Sequence, residues 1–194
     1  RDRDALFHLE TSLKIANQGQ NRPNEIMFTM VLAERASCNA RLGNITDAID
    51  DCEKLLEINP TKSEIQNLIG SLYLQKENPE KAKYYFIRAL KHDPKNLDIL
   101  ANLGGALRQG KKIEAAFGAL KLVLNEEPEH FGANLNYAMA LADAGDREKA
   151  LLLFSELTLR YPHNANVLVH RANAERCFGL FSKAIESFEE AIKL

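Results

Sequence analysis

The chain has no tryptophan, three cysteines among 194 residues, and no apolar run of the roughly 18 residues that a membrane span requires. Its N-terminus, Arg1-Asp2-Arg3-Asp4, lacks the apolar core of a secretory signal. Cys38, Cys52 and Cys177 are odd in number, far apart and free of any Cys-x-x-Cys pattern. That suggests neither a disulfide framework nor a zinc site, and it points to a reducing, cytoplasmic compartment. An excess of one charge is also missing. With 25 Lys+Arg against 27 Asp+Glu, the formal net charge is -2, so no basic field is available to draw in phosphate backbones, and nucleic acid is not an expected partner. What remains is 45% hydrophobic and 27% charged, enough apolar material for a core and too little charge bias for disorder. The chain starts without Met and stops in mid-pattern on Ala191-Ile192-Lys193-Leu194, which reads as a piece of a longer polypeptide.

The prolines carry the organisation. Pro60, Pro94, Pro128 and Pro162 recur at one fixed interval, the same that separates Ala48, Ala82, Ala116, Ala150 and Ala184. Cys52, Phe86, Leu120, Phe154 and Phe188 keep the same phase, which predicts five core positions. Within a repeat the apolar spacing is helical, as in Ala82, Tyr85, Phe86, Ala89 and Leu90. A preceding helix carries its own stripe, such as Leu100, Leu103, Gly104 and Leu107. Gly43, Gly110, Gly145 and Gly179 mark the turn between the two. Start signals agree: Thr61 with Glu64 forms a capping-box pattern, Asn78-Pro79 places a cap before a first-turn proline, and Asp146 and Ser182 stand at further cap positions.

This pattern resembles the tetratricopeptide repeat family. The repeat Ser63–Asn96 shows Gly70, Tyr73, Ala82, Phe86, Ala89 and Pro94 at the family's places, and Leu97–His130 shows Leu103, Gly104, Ala116 and Pro128. No repeat has the family's Trp. Ala36, Ala138 and Ala172 replace the first-helix Gly, and Asn39 and Glu175 stand where Tyr is usual. Ahead of Thr29 the register shifts. Ala5, Leu6, Leu9, Leu13 and Ile15 read as the second helix of an earlier repeat, followed by the polar stretch Asn17–Asn24 and an extended helix from about Asn24 to Leu42, similar to the longer repeats of kinesin-light-chain-like domains. The resemblance implies an all-α, right-handed superhelical solenoid of antiparallel helix pairs with about eleven helices. It forms a single domain over 1–194, divided as 1–20 (a half repeat), 24–62, 63–96, 97–130, 131–164 and 165–194.

Such an array buries each helix pair against its neighbours and offers an extended concave surface rather than a closed pocket. The resemblance places the first helices on that surface. The sixth residues of the repeats are Glu34, Leu68, Asn102, Asn136 and His170. An amide side chain both donates and accepts, so Asn102 and Asn136 could pair with the backbone of an extended peptide, similar to the asparagine ladder of O-GlcNAc transferases. The alternative is that they are merely solvated. Ala101 and Gly105 leave room for a close approach beside Asn102. Asn67, Arg108, Asn173 and Arg176 are further candidates near the same face. The carboxylate clamp that some co-chaperones use would fall on Ala33, Ser37, Leu68, Asp98 and Asn102, so most of it is absent and a free C-terminal carboxylate is not the expected ligand.

No arrangement of nucleophile and base or of paired carboxylates suggests catalysis, and no metal or cofactor is expected. His92, His130 and His163 fall in turns, where solvated residues are the common case. Gly104-Gly105 lacks the order of a phosphate loop and reads as a packing feature. Cys52 reads as buried, Cys38 and Cys177 as partly exposed. Arg35 and Arg171 replace the first-helix Leu and need a partner, for Arg171 either Glu175 or a ligand. The leading expectation is a non-enzymatic scaffold that binds a protein or peptide segment. One alternative is a recruiting domain of a larger enzyme such as a glycosyltransferase. Another is a self-associating structural role, with Ile192 and Leu194 exposed.

Overall fold

The computed structural model describes residues 2–18 and 25–194. Among these there are eleven helices and no strand. The chain forms two compact units, Arg1–Asn96 and Leu97–Leu194, divided in sequence between two repeats. The first unit holds α1 (Asp2–Gln18), α2 (Glu25–Leu42), α3 (Ile45–Ile58), α4 (Ser63–Gln75) and α5 (Pro79–His92). The second holds α6 (Leu97–Gln109), α7 (Ile113–Glu126), α8 (Phe131–Asp143), α9 (Arg147–Arg160), α10 (Ala165–Cys177) and α11 (Phe181–Ile192). Sequential helices pack as antiparallel pairs: α2 on α3 and α4 on α5 in the first unit, and α6 on α7, α8 on α9 and α10 on α11 in the second. The polar stretch expected to form a long loop lies, over 19–24, outside the described residues.

The five alanines in phase are buried, and Cys52, Phe86, Leu120 and Phe154 are fully so. Phe86 and Leu120 of second helices lodge against the preceding first helix. A Cβ added at Gly70 would lie 2.6 Å from the Phe86 ring, and one at Gly104 would lie 2.6 Å from Leu120, so these glycines exist to admit the side chain opposite. Gly104 is thus the packing feature the sequence suggested. In the repeats where Ala138 replaces this glycine, the helices still close around a core of Ala138, Phe154, Leu157 and Val167. Phe188 departs from its phase-mates. It is half-buried, because its helix α11 packs on α10 alone among the described elements.

Each helix pair is joined by the same turn. The N–H groups of Asn44, Asn78, Lys112, Asp146 and Leu180 donate to the carbonyls of Asn39, Tyr73, Leu107, Leu141 and Glu175, at 2.8–3.0 Å. This six-residue closure requires a left-handed residue just before the donor. Gly43, Gly145 and Gly179 supply it with φ of 79°, 81° and 74°, whereas Glu77 and Lys111 adopt it at 55° and 58°. Gly110 is therefore not the turn residue of its repeat; the left-handed conformation falls one position later, on Lys111. The other turn is set by the prolines. Asn59, Asp93, Glu127 and Tyr161 precede them, and all four leave the helical region, with ψ between 62° and 88°.

Two expected caps are not formed. Lys62, not Thr61, occupies the N-cap of α4, and the Thr61 hydroxyl instead donates to Asn59 Oδ1 at 3.0 Å. The N-cap of α11 is Leu180, two residues ahead of Ser182. Asn78 and Asp146 do cap, accepting from the N–H groups of Lys81 and Lys149 at 3.1 and 3.4 Å. Cys38 is fully buried rather than partly exposed, because α2 turns it inward beside Ala36 and Asn39. Cys177 is exposed, as expected.

Candidate functional site

Buried polar groups separate structural from available chemistry. Arg35, in place of an apolar residue, donates from Nε and Nη2 to the two carboxylate oxygens of Asp51 of α3, the Nε–Oδ2 bond being 2.7 Å, and Asp51 is almost wholly buried. Arg171 of the second unit is also paired, within its own helix. Its Nε donates to Glu175 Oε1 at 2.9 Å, and Glu175 Oε2 accepts from the Ser187 hydroxyl of α11 at 2.8 Å. The charges that seemed to ask for a ligand are thus held inside their own repeats. Cys52 is equally inert, because burial pushes its thiol up to about 12.

In the second unit the first helices α6, α8 and α10 bring together three of the expected binding residues. Arg108 from the last turn of α6 and His170 and Asn173 from α10 line one recess of about 240 Å³. Met139, Ala142, Phe154 and Ala174 give it an apolar floor, and Asp143 and Cys177 complete its edge. Arg108 Nη1 donates to Asp143 Oδ2 at 2.7 Å, while its buried Nε has no hydrogen-bond partner. His170 is held below the ordinary histidine range, first by burial and then by the nearby Arg108 charge. Its neutral imidazole offers one donor and one acceptor. Met139 and Asp143 were missed in the sequence. The available signal was that Asp143 lies a full repeat plus one residue beyond Arg108.

The remaining candidates fall elsewhere. Asn136 Nδ2 donates to the Ala101 carbonyl at 3.3 Å, and Gly105 makes this approach possible, since a Cβ there would lie 3.1 Å from Asn136 Oδ1. The space beside Asn102 that the sequence left for a ligand is therefore occupied by Asn136, which ties α8 to α6. Asn102 itself is half-buried on α6. Asn67 belongs to the first unit, on α4, where its carbonyl accepts from the Ser71 hydroxyl at 3.1 Å. Arg176 is exposed at the end of α10 and does not line the recess. Of the clamp positions, the Ser37 hydroxyl is spent on the Ala33 carbonyl at 3.0 Å, and Asp98 sits 3.2 Å from His130 Nε2. His130 caps α8 by accepting from the Ala133 N–H at 3.2 Å, so it does structural work in its turn. Among the described residues no group of His, Cys, Asp and Glu is placed to hold a metal ion, and no helix is long and apolar enough to cross a membrane.

Repeated pairs of antiparallel helices, each closed by the same turn and cored by the same in-phase residues, define a helix-pair repeat protein. The chain belongs to the tetratricopeptide repeat family: models of that repeat match residues 31–62, 67–130 and 107–170. It is 30% identical over 80 residues to Hsp70-Hsp90 organizing protein 1 of Glycine max, which covers 41% of this chain and 14% of that protein. It is 31% identical over 87 residues to the protein CTR9 homolog of Arabidopsis thaliana, 45% of this chain and 8% of that one. The chain thus corresponds to a small part of the relatives it matches. Among solved structures, a tetratricopeptide repeat protein from Parabacteroides merdae superposes with a TM-score of 0.73 at 17% identity, over 97% of this chain and 71% of that one. YrrB, described as a TPR protein with an unusual peptide-binding site, superposes with a TM-score of 0.55 at 22% identity over 85% of both chains.

Proposed function

We propose that this chain is a protein-interaction scaffold that holds an extended segment of another protein along the first helices of its second unit. The observation that carries the reading is the convergence of Arg108, His170 and Asn173, from two separate helices, on one recess with an apolar floor. Repeat arrays of this family use such faces for recognition, with affinity spread over several repeats. Asn102 and the exposed Arg176 extend the proposed binding face beyond the recess, Asn136 braces it from α8, and Asn67 is the candidate contact of the first unit. Three relatives carry names that speak of organising other proteins, in keeping with a scaffold role. The non-enzymatic reading rests on the same ground. The buried charges Asp51 and Glu175 serve the packing of their own repeats, and Arg108, His170 and Asn173 line a recess suited to contact.

The test is capture of partners from a native lysate by the wild-type chain, by Arg108→Ala/Asn173→Ala, and by Glu189→Ala on the exposed side of α11, all with matched thermal melting. The double variant should lose most of the captured proteins and the control should keep them. Equal capture by all three would place the binding surface elsewhere.

A second reading, self-association, is favoured by Phe181, Ile185 and Ile192, which form an exposed apolar stripe on α11. Sedimentation at rising concentration distinguishes it. A mass that grows with concentration and returns to that of a monomer in Ile185→Glu supports self-association, and a constant monomer mass rejects it.

A further inference from the structure

We infer that the recess of the second unit takes an uncharged apolar side chain of the bound segment, of the size of leucine or methionine, and that Asp143 is the residue that excludes an acidic one. This rests on the scaffold reading above and adds the chemistry of the anchor.

The floor is built by Met139, Ala142, Phe154 and Ala174, none of which offers a side-chain hydrogen bond of ordinary strength. A volume of about 240 Å³ is ample for one such group; a cavity of about 150 Å³ accepts benzene. The edge decides the charge. Arg108 would by itself invite a carboxylate, because a guanidinium presents a planar fork to one. Here Nη1 is already engaged on Asp143 Oδ2 at 2.7 Å and Nε is buried, so the fork is not presented to an incoming carboxylate. An incoming carboxylate would meet the Asp143 charge beside its intended partner, and an incoming ammonium would meet Arg108. The imidazole of His170 adds no compensating charge, since burial and Arg108 both favour its neutral form. The recess as a whole is therefore close to electrically neutral.

What the edge does offer suits a peptide backbone. The Asn173 amide and the His170 ring each provide a donor and an acceptor. An extended chain that inserts one apolar side chain passes its neighbouring N–H and C=O groups across these atoms. Met139 lies in the floor, while the other two methionines, Met27 and Met30, lie on α2 of the first unit.

The experiment selects a phage-displayed library of random heptapeptides on three immobilised full chains: wild type, Ala142→Phe, and Asp143→Asn. The selected peptides are then titrated into protein carrying ¹³C-methyl methionine. Wild-type selection should enrich Leu, Ile, Met or Phe at one fixed position, and changing that residue to Asp should weaken binding at least tenfold. The Met139 methyl resonance should shift saturably while those of Met27 and Met30 stay in place. Ala142→Phe, which fills the floor, should lose the selected peptides. Asp143→Asn, which leaves Arg108 unneutralised, should change the enriched residue to Asp or Glu. Enrichment of a charged anchor by the wild type, or binding that moves Met27 and Met30 but not Met139, overturns this inference and leaves the scaffold reading intact. An absence of any enriched peptide counts against both.

Discussion

Arg171 and Glu175 show how much a single position can mislead and then inform. Both break the family pattern, one where Leu is usual and one where Tyr is usual, and each alone would be a buried liability. Together with Ser187 they form a closed hydrogen-bonded group in which Glu175 is 1% exposed. Removing Arg171 strands a carboxylate in the core, which costs about 3–5 kcal/mol in a fully buried setting. Arg171 itself is 28% exposed, so water recovers part of that and a loss of about 1–3 kcal/mol is expected. Urea denaturation of Arg171→Met should show it, and the double change Arg171→Met/Glu175→Leu should recover most of it. A single variant as stable as the wild type would mean that the ion pair does not hold the repeat together. The pairing of Arg171 was legible from the four-residue spacing on one helix. The pairing of Arg35 with Asp51 was not, because it crosses between helices.

At the scale of the element, the second helices begin at Ile45, Pro79, Ile113, Arg147 and Phe181, in strict phase. Cap residues vary across these starts: Asn78 and Asp146 cap, while Asn44, Lys112 and Leu180 do not. The common determinant is the six-residue closure of the preceding turn. This is why Ser182 was a misleading start signal and Gly110 a misleading stop: local propensity yields to a hydrogen-bonded turn fixed by the packing of the pair. The apolar phase, by contrast, was read correctly from the sequence, because burial against the neighbouring helix is what the repeat conserves internally. The same turn predicts stabilising changes. Glu77 and Lys111 hold a left-handed conformation that costs a residue with a Cβ about 1–2 kcal/mol, against the roughly 0.5–1 kcal/mol that glycine loses in chain entropy. Glu77→Gly and Lys111→Gly should each raise stability by about 0.5–1 kcal/mol in thermal melts. A fall in melting temperature for both would show that the turn is not strained.

For the whole molecule, the recess sets a pH dependence. The folded state holds His170 below its ordinary value of about 6.5, so as the pH falls through that value the unfolded chain takes up a proton that the folded chain resists. Stability is therefore full above that range and declines as the pH drops toward the folded value. His170→Gln should flatten this portion of the stability profile, and an unchanged profile would show that His170 is not held neutral by its surroundings. The all-helical repeat fold and its eleven helices were legible from prolines, alanines and aromatic phase. The recess was legible only in part. Arg108, His170 and Asn173 could be placed on one face from their register, whereas the Arg108–Asp143 pair and the use of Asn136 as a brace depend on the approach of α8 to its neighbours.

On the proposed reading, another protein binds the first-helix face of the second unit. The most direct measurement places a photo-crosslinking amino acid at Asn173, and separately at Glu189, irradiates each protein in native lysate, and identifies the attached peptides by mass spectrometry. Binding in the recess predicts a small set of attached segments from position 173, each with an apolar residue at the attachment point, and background yield from position 189. Equal yields and unrelated peptides from both positions would contradict it.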